Sequence, residues 1–265
     1  MNLTLPVSHL ISADNYYKIP GVKALEYKKE QPVFDFSGPK FFHSGKGATD
    51  HDFIDYFDAL LPYLKLHNFS HFSFDVGPAA EYCKTQDYYY VAESEVLSAE
   101  ELTQITSKRL DYVKERYDGI IALENLNYFP TSAYAHVCDP DFISSIVKGS
   151  EVYLILDIAH AMISAHNLGI PPETYFTRLP LERVKEIHLS AHGYLDGKWR
   201  DLHNRPNDET YQILEMLRGY VKSDTYLIVE FYKDFSELID IYQEVDDWLK
   251  SKAQTLPANK KIINL

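Results

Sequence analysis

The stretch VYLILDIAH, residues 152–160, decides the fold: an aliphatic and aromatic run closes on Asp157, and His160 follows three residues later. Apolar runs of this length read as strands buried on both faces, as in a parallel sheet. A carboxylate or imidazole at the end of such a strand is costly to bury alone, so it needs a partner or a metal. The same construction recurs along the chain. His43 sits in KFFHSG, Asp75 in HFSFDVG, Glu124 in IIALENL, His188 in VKEIHLS and Glu230 in YLIVEFY, while Asp201 and His203 share RDLH. Parallel strands alternating with helices bring their ends to one face of a barrel, where active sites sit. The pattern predicts an α/β fold, a single (β/α)8 TIM barrel, with a multinuclear metal centre at the C-terminal face of its strands.

Eight strand candidates follow: Leu3–Ser8, Val22–Lys29, Lys40–Gly45, His71–Gly77, Gly119–Leu126, Glu151–Ile158, Val184–Ser190 and Thr225–Tyr232. Helical patterns lie between several of them, at Asp52–His67, Ser98–Tyr117, Asp139–Val147, Pro172–Leu179 and Asp208–Val221, with Asp234–Lys252 after the last strand. Ser98 opens an SAEE helix start, and Asp139-Pro140 has the form of an N-cap followed by a first-turn proline. One barrel domain is expected over residues 1–256, with 257–265 as a C-terminal tail. Two connections are longer than a barrel needs. Pro78–Leu97 carries Tyr82, Tyr88, Tyr89 and Tyr90, and Ala191–Pro206 carries His192, Tyr194, Trp199, Arg200 and Arg205. Both follow strands, which suits lids or substrate contacts as well as ordinary rim loops.

The 265 residues are 45% hydrophobic and 14% aromatic, with 21 Tyr, enough for a large core. The start lacks a basic segment followed by a continuous apolar one, so no secretory signal is read there. No stretch approaches the roughly 20 apolar residues that span a bilayer. Cys83 and Cys138 cannot make a disulfide framework and suit a reducing compartment. The expectation is a cytoplasmic protein without a membrane partner. A net charge of −13 opposes a broad phosphate-binding surface, so nucleic acid is not the default partner.

Asp157-x-x-His160 places a carboxylate at a strand end and an imidazole one turn later. Asp201-x-His203 presents two donors from one extended segment, and Glu124 and Glu230 each have two oxygens with which to bridge ions. Mixed imidazole and carboxylate sets suit zinc, iron or manganese better than magnesium. Singly, each residue has a plainer reading. A strand-end histidine is often a hydrogen-bonded structural residue, and an aspartate or glutamate there is often a helix cap or the partner of a base. Asp75, before Gly77-Pro78, could cap a turn, and His43 precedes a Ser44–Gly47 turn able to hold a phosphate. Together, nine such residues are read as metal ligands: His43, Asp75, Glu124, Asp157, His160, His188, Asp201, His203 and Glu230. Of these, Glu124, Asp157 and Glu230 are the candidate catalytic carboxylates, and Lys46 and His192 are candidate substrate contacts.

The ordered set resembles the endonuclease IV and xylose-isomerase-like TIM-barrel superfamily. By that resemblance Glu124 would bridge two metals, with His43 on one side and Asp157, His188 and Glu230 on the other. His160, Asp201 and His203 would hold a third. Residues 154–193, LILDIAHAMISAHNLGIPPETYFTRLPLERVKEIHLSAHG, with Glu124-Asn125-Leu126 and the Asp-x-His loop, are more closely similar to the multinuclear non-haem iron-dependent oxidases. This similarity covers roughly residues 40 to 232. His160 stands where those oxidases usually have asparagine, and Asp75 where both relatives have histidine. Sugar isomerases and epimerases share part of the set around one ion but lack the Asp-x-His pair.

These resemblances imply a metal-dependent enzyme with two or three metal ions, iron preferred and zinc or manganese the alternatives. The preferred activity is an iron-dependent oxidase acting on a peptide or small molecule, with a partner protein that presents the peptide. A zinc- or manganese-dependent phosphodiesterase of endonuclease type is the first alternative, and a sugar isomerase or epimerase the second. A barrel that binds metal as a sensor, without turnover, is the remaining reading.

Overall fold

The computed structural model describes residues 1–28 and 31–254. Lys29, at the end of the expected second strand, and the expected tail 257–265 lie outside them. Eight parallel strands close into a barrel in chain order: Asn2–Val7, Val22–Tyr27, Lys40–Gly47, His71–Asp75, Ile120–Glu124, Tyr153–Asp157, Val184–Leu189 and Tyr226–Val229. The eighth pairs back onto the first, with Leu227 opposite Leu3. Each expected strand is present.

The helices are α1 (Phe53–Leu66), α2 (Ala99–Lys114), α3 (Pro140–Gly149), α4 (Ile158–Leu168), α5 (Pro172–Arg178), α6 (Asp208–Leu217) and α7 (Phe235–Gln254). Several of their starts follow from side chains that satisfy free first-turn amides. Ser98 and Glu101 form a reciprocal capping box on α2, and Asp139 accepts from the Asp141 amide ahead of α3. Asp157 caps α4 through the His160 amide, and Gly169, in the left-handed region at φ 67°, ends it. No helix among the described residues is long and apolar enough to cross a membrane.

Three features differ from the sequence reading. α4 was legible only as a start at His160, because its run IAHAMISAHNL is apolar nearly all round and lacks a 3.6-residue stripe. The two long connections are β-hairpins, Cys83–Gln86 with Tyr89–Ala92 and Ala191–Leu195 with Lys198–Asn204. The first two strands are not followed by α-helices among the described residues. Aromatic side chains pack there instead: Phe34 stacks on Tyr16 and meets Tyr27 edge-on.

Alternation along the strands sorts the side chains into two populations. Phe42, Phe72, Phe74, Leu123, Leu154, Leu156, Ile187, Leu189, Leu227 and Val229 belong to the apolar core. Phe72 and Phe74 pack on Phe57 and Phe53 of α1. Many of the intervening positions are polar and buried, Thr4, Glu26, His43, His71, Ser73, Glu124, Asp157, Glu186 and His188, with Phe41, Ile155 and Ile228 among them. The barrel wall is therefore held from outside by an apolar shell, and its inside is free to carry chemistry.

A tight turn after the fourth strand sets the height of Asp75. Gly77 has φ +91°, and a Cβ there would lie 2.9 Å from the Thr49 backbone nitrogen and 3.0 Å from Gly47 Cα. Both neighbours are backbone and cannot move aside cheaply. Gly77→Ala is expected to cost about 1–3 kcal/mol of stability, read as a lowered denaturant midpoint. An unchanged midpoint would contradict this packing.

Candidate metal centre

Strand register does the assembling. Asp75 lies opposite Glu124, Asp157 opposite His188, and His188 opposite Ile228, two residues before Glu230. His43 lies opposite Ser73 on the third strand. His160 comes from the first turn of α4, and Asp201 and His203 from the second arm of the later hairpin. All nine sequence-predicted donors meet at the C-terminal mouth of the barrel.

Glu124 is the hub. Its Oε2 is 2.7 Å from His43 Nε2, and its Oε1 is 3.4 Å from both His160 Nδ1 and His188 Nδ1. His188 Nδ1 is also 3.6 Å from Glu230 Oε1 and 3.9 Å from Asp157 Oδ2. The ring continues from His160 Nε2 to Asp201 Oδ2 at 3.6 Å, to His203 Nε2 at 2.9 Å and to Glu230 Oε2 at 3.6 Å. Three triads gather donor atoms within 4.8 Å of one another: His43, Asp75 and Glu124; Glu124, Asp157 and His160; Asp157, His188 and Glu230. Asp201 and His203 join through His160 and Glu230.

Two atoms test whether this donor set fits a cation. Asp157 Oδ2 and His188 Nδ1 are buried, and neither takes part in a hydrogen bond with any described residue. Leaving such groups unsatisfied is unfavourable, and both are good ligands for zinc, iron or manganese. They fit a metal ion.

The charges strain against one another. Burial, and then the charge of Glu124, push Asp75 up to about 7. Burial raises Asp157 to about 7 as well, with Asp201, Glu230 and Glu124 adding to it against the pull of His160. Burial would raise Glu124 and Glu230 too. Instead His43 and His188 hold Glu124 well below the usual range, and Lys28 and His188 do the same for Glu230. Burial opposes charge on His203, but Asp201 and Glu230 lift it to about 10.

Several residues of the site escaped the sequence reading. Lys28 donates to Glu230 Oε1, which also accepts from the Tyr232 hydroxyl at 3.0 Å. Asn125 clamps the Asp157 backbone from both sides, and its carbonyl lies 2.9 Å from His160 Nδ1. Ser73 Oγ is 3.0 Å from His43 Nδ1, and Glu26 Oε1 is 3.1 Å from His188 Nε2. Glu26 also closes an apolar strand, so the signal that found the other carboxylates was present. Lys28, in EYKKE, reads as part of a solvated charge run.

Lys46 and His192 are engaged elsewhere. Lys46 Nζ is 2.6 Å from Asp52 Oδ1 beside the start of α1. The His192 ring lies 5.0 Å from Trp199 and 5.4 Å from His166 in an aromatic cluster on the hairpin. The two hairpins meet above the mouth, with Lys198 Nζ 4.4 Å from the centroid of Tyr89 and the Arg200 guanidinium 5.4 Å from that of Tyr88.

The pH dependence of the metal-free protein follows. His203 is raised in the fold to about 10, so its stabilisation is complete below its unfolded value of about 6.5 and is lost as pH climbs through 10. Asp75 and Asp157, raised to about 7, cost stability as pH rises from about 4 to 7. Both effects have one sign. Chelator-treated protein is expected to melt at a higher temperature at pH 6 than at pH 9, with a flatter slope in His203→Gln. Equal slopes in the two proteins would contradict the charge assignment.

Comparison with known proteins adds an independent line. The family described as RiPP precursor modification enzyme MbnB/TglH/ChrH matches residues 45–252. A UPF0276 protein of Acaryochloris marina is 28% identical over 107 residues, 40% of this chain and 39% of that protein. One from Caulobacter vibrioides is 26% identical over 148 residues, 56% of this chain and 52% of that protein. The matches thus span about half or less of these curated relatives. Among solved structures, a xylose isomerase domain containing protein of Salmonella typhimurium superposes with a TM-score of 0.63 at 12% identity, covering 96% of this chain and 97% of that one. The 3-keto-D-glucoside 4-epimerase of E. coli gives 0.60 at 13% identity, covering 95% and 99%. At such identities the likeness shows the fold, a xylose-isomerase-like TIM barrel. The family match extends over most of the chain, from the end of the third strand into α7, and the chain belongs to the RiPP precursor modification enzyme MbnB/TglH/ChrH family.

Proposed function

We propose that this chain is a metal-dependent enzyme that modifies a peptide, with two or three metal ions held at the barrel mouth by His43, Asp75, Glu124, Asp157, His160, His188, Asp201, His203 and Glu230. The observation that carries the reading is the pair of unsatisfied buried donors, Asp157 Oδ2 and His188 Nδ1, 3.9 Å apart inside a ring of further carboxylates and imidazoles. Charge supports more than one ion. With neutral imidazoles, the five carboxylates Asp75, Glu124, Asp157, Asp201 and Glu230 face one ammonium among the described residues, that of Lys28. The four negative charges left over are the charge of two divalent ions, and Glu26 adds another behind His188.

The chain's own groups prepare the site. Glu124, at the hub, is placed to bridge. Asn125 fixes the Asp157 backbone and orients His160 through its carbonyl. Lys28 and Tyr232 steady Glu230 and leave its Oε2 facing His203. Iron, the preferred metal, would supply one-electron chemistry with dioxygen, whereas zinc or manganese would supply Lewis acidity for hydrolysis. The two hairpins wall the mouth, and exposed Tyr82, Tyr88 and Tyr194 offer aromatic surface beside it, suited to an extended chain segment. The family's described role with peptide precursors favours a peptide over a sugar, and a second protein presenting that peptide is part of this reading.

Ferrous iron added without oxygen, followed by desalting and elemental analysis, tests the ligand set. Glu124→Ala and Asp201→Ala are each expected to retain at least one ion per chain fewer than the wild type, with the circular dichroism spectrum unchanged. Full metal retention in both variants would overturn the assignment.

A further inference from the structure

Beneath the nine donors the barrel interior holds a second polar layer, to which the proposed function assigns no ligand. Glu26, His71 and Glu186 are buried there with His188 between them and the mouth. His71 Nδ1 pairs with Glu186 Oε1 at 2.7 Å, and the His71 ring stacks on Phe41 with centroids 3.8 Å apart. Glu26, Glu186 and His188 each bring a donor atom within 4.8 Å of the others. The side chains of Glu26 and His188 are wholly shielded from solvent, so no water competes for their contact.

The two faces of the His188 ring differ. Nε2 lies 3.1 Å from Glu26 Oε1, on the inner side of the barrel. Nδ1 points to the mouth, toward Glu124, Asp157 and Glu230, and makes no hydrogen bond. Glu26 Oε1 is a carboxylate oxygen at hydrogen-bond distance and only accepts, so Nε2 carries the proton, whereas Nδ1 makes no hydrogen bond to the mouth carboxylates 3.4–3.9 Å away. That leaves the Nδ1 lone pair for the mouth. Partners of this kind fix the tautomer and ring orientation of a metal-bound histidine and raise its basicity.

We infer that Glu26 is the positioning residue of His188: from the layer beneath the centre it holds the proton on Nε2 and aims Nδ1 at a metal ion shared with Asp157 and Glu230. The assignment rests on the proposed metal centre. It also explains a Glu at the close of the second strand, where no mouth ligand is contributed. The competing role is a plain buried ion pair, in which His188 is protonated on both nitrogens and binds nothing.

The test is nitrogen-15 NMR of histidine-labelled protein loaded with zinc alone, a diamagnetic probe, beside zinc-affinity titrations. Wild-type His188 is expected to show a protonated Nε2 and a coordinated Nδ1. Glu26→Gln, which keeps the shape and an acceptor but can also present a donor, is expected to weaken zinc binding roughly ten- to a hundred-fold and to scatter the tautomer. Glu26→Asp is expected to recover part of that affinity. A wild-type His188 protonated on both nitrogens while zinc is bound at Glu124 would overturn the positioning role and leave the metal centre standing. So would unaltered affinity and tautomer in Glu26→Gln. Wild-type protein that takes up no zinc, iron or manganese would remove the centre itself and this role with it. The wild-type spectrum can overturn the role by itself, and Glu26→Asp supplies the second variant, so a Glu26→Gln that fails to fold does not block the test.

Discussion

Crowding five carboxylates, three of them buried and two half-buried, at one barrel mouth is the constraint on which the rest of this molecule depends. Parallel strands in a closed barrel deliver their C-terminal ends to one ring, so any residue type placed at those ends is concentrated whether or not it can tolerate its neighbours. Here the ends carry Asp75, Glu124, Asp157 and Glu230, and a hairpin adds Asp201. Burial first, and then the neighbouring carboxylate charges, push Asp75 and Asp157 to about 7, while Glu124 and Glu230 are held low by imidazoles and Lys28. A fold that carries such a cluster needs a rigid wall behind it and a source of positive charge in front. The apolar shell of Phe42, Phe72, Phe74, Leu154 and Leu227 supplies the wall. Metal ions are the source of charge that the donor types suit.

The same construction separates rigidity from access. The inner candidate ligands come from strands or the first turn of α4, where backbone hydrogen bonding fixes them. Asp157 serves twice, capping α4 through the His160 amide while its second oxygen stays turned to the centre. Asp201 and His203 sit instead on a hairpin arm, with His203 in the left-handed region at φ 44°. That arm belongs to the wall of the opening, and its contacts with the Tyr88–Tyr89 turn tie the two hairpins together. Part of the donor set is thus built into the surface that a substrate must pass.

The closed barrel was legible because most of its strands end an apolar run on a chemically expensive residue, and the same endings marked the nine candidate donors. Sequence reading stopped where a residue's partner is set by register rather than by neighbours in the chain. Glu26 meets His188 across the barrel interior, 162 positions away in sequence. Lys28 reaches Glu230 from a run that looks solvated. Hairpins could not be told from loops, since Asp87-Tyr88 and Asp196-Gly197 are short turns inside aromatic and charged stretches. α4 was hidden by burial on nearly all sides, and the neighbours of the candidate substrate contacts Lys46 and His192, Asp52 and Trp199, were likewise not legible.

Metal content and oxidation state, measured on protein isolated without oxygen by elemental analysis with Mössbauer and EPR spectroscopy, bear most directly on the proposed centre. Two or more irons per chain, with a magnetically coupled signal, are expected. A folded chain that retains no metal, and takes up none of iron, zinc or manganese on reconstitution, would contradict it.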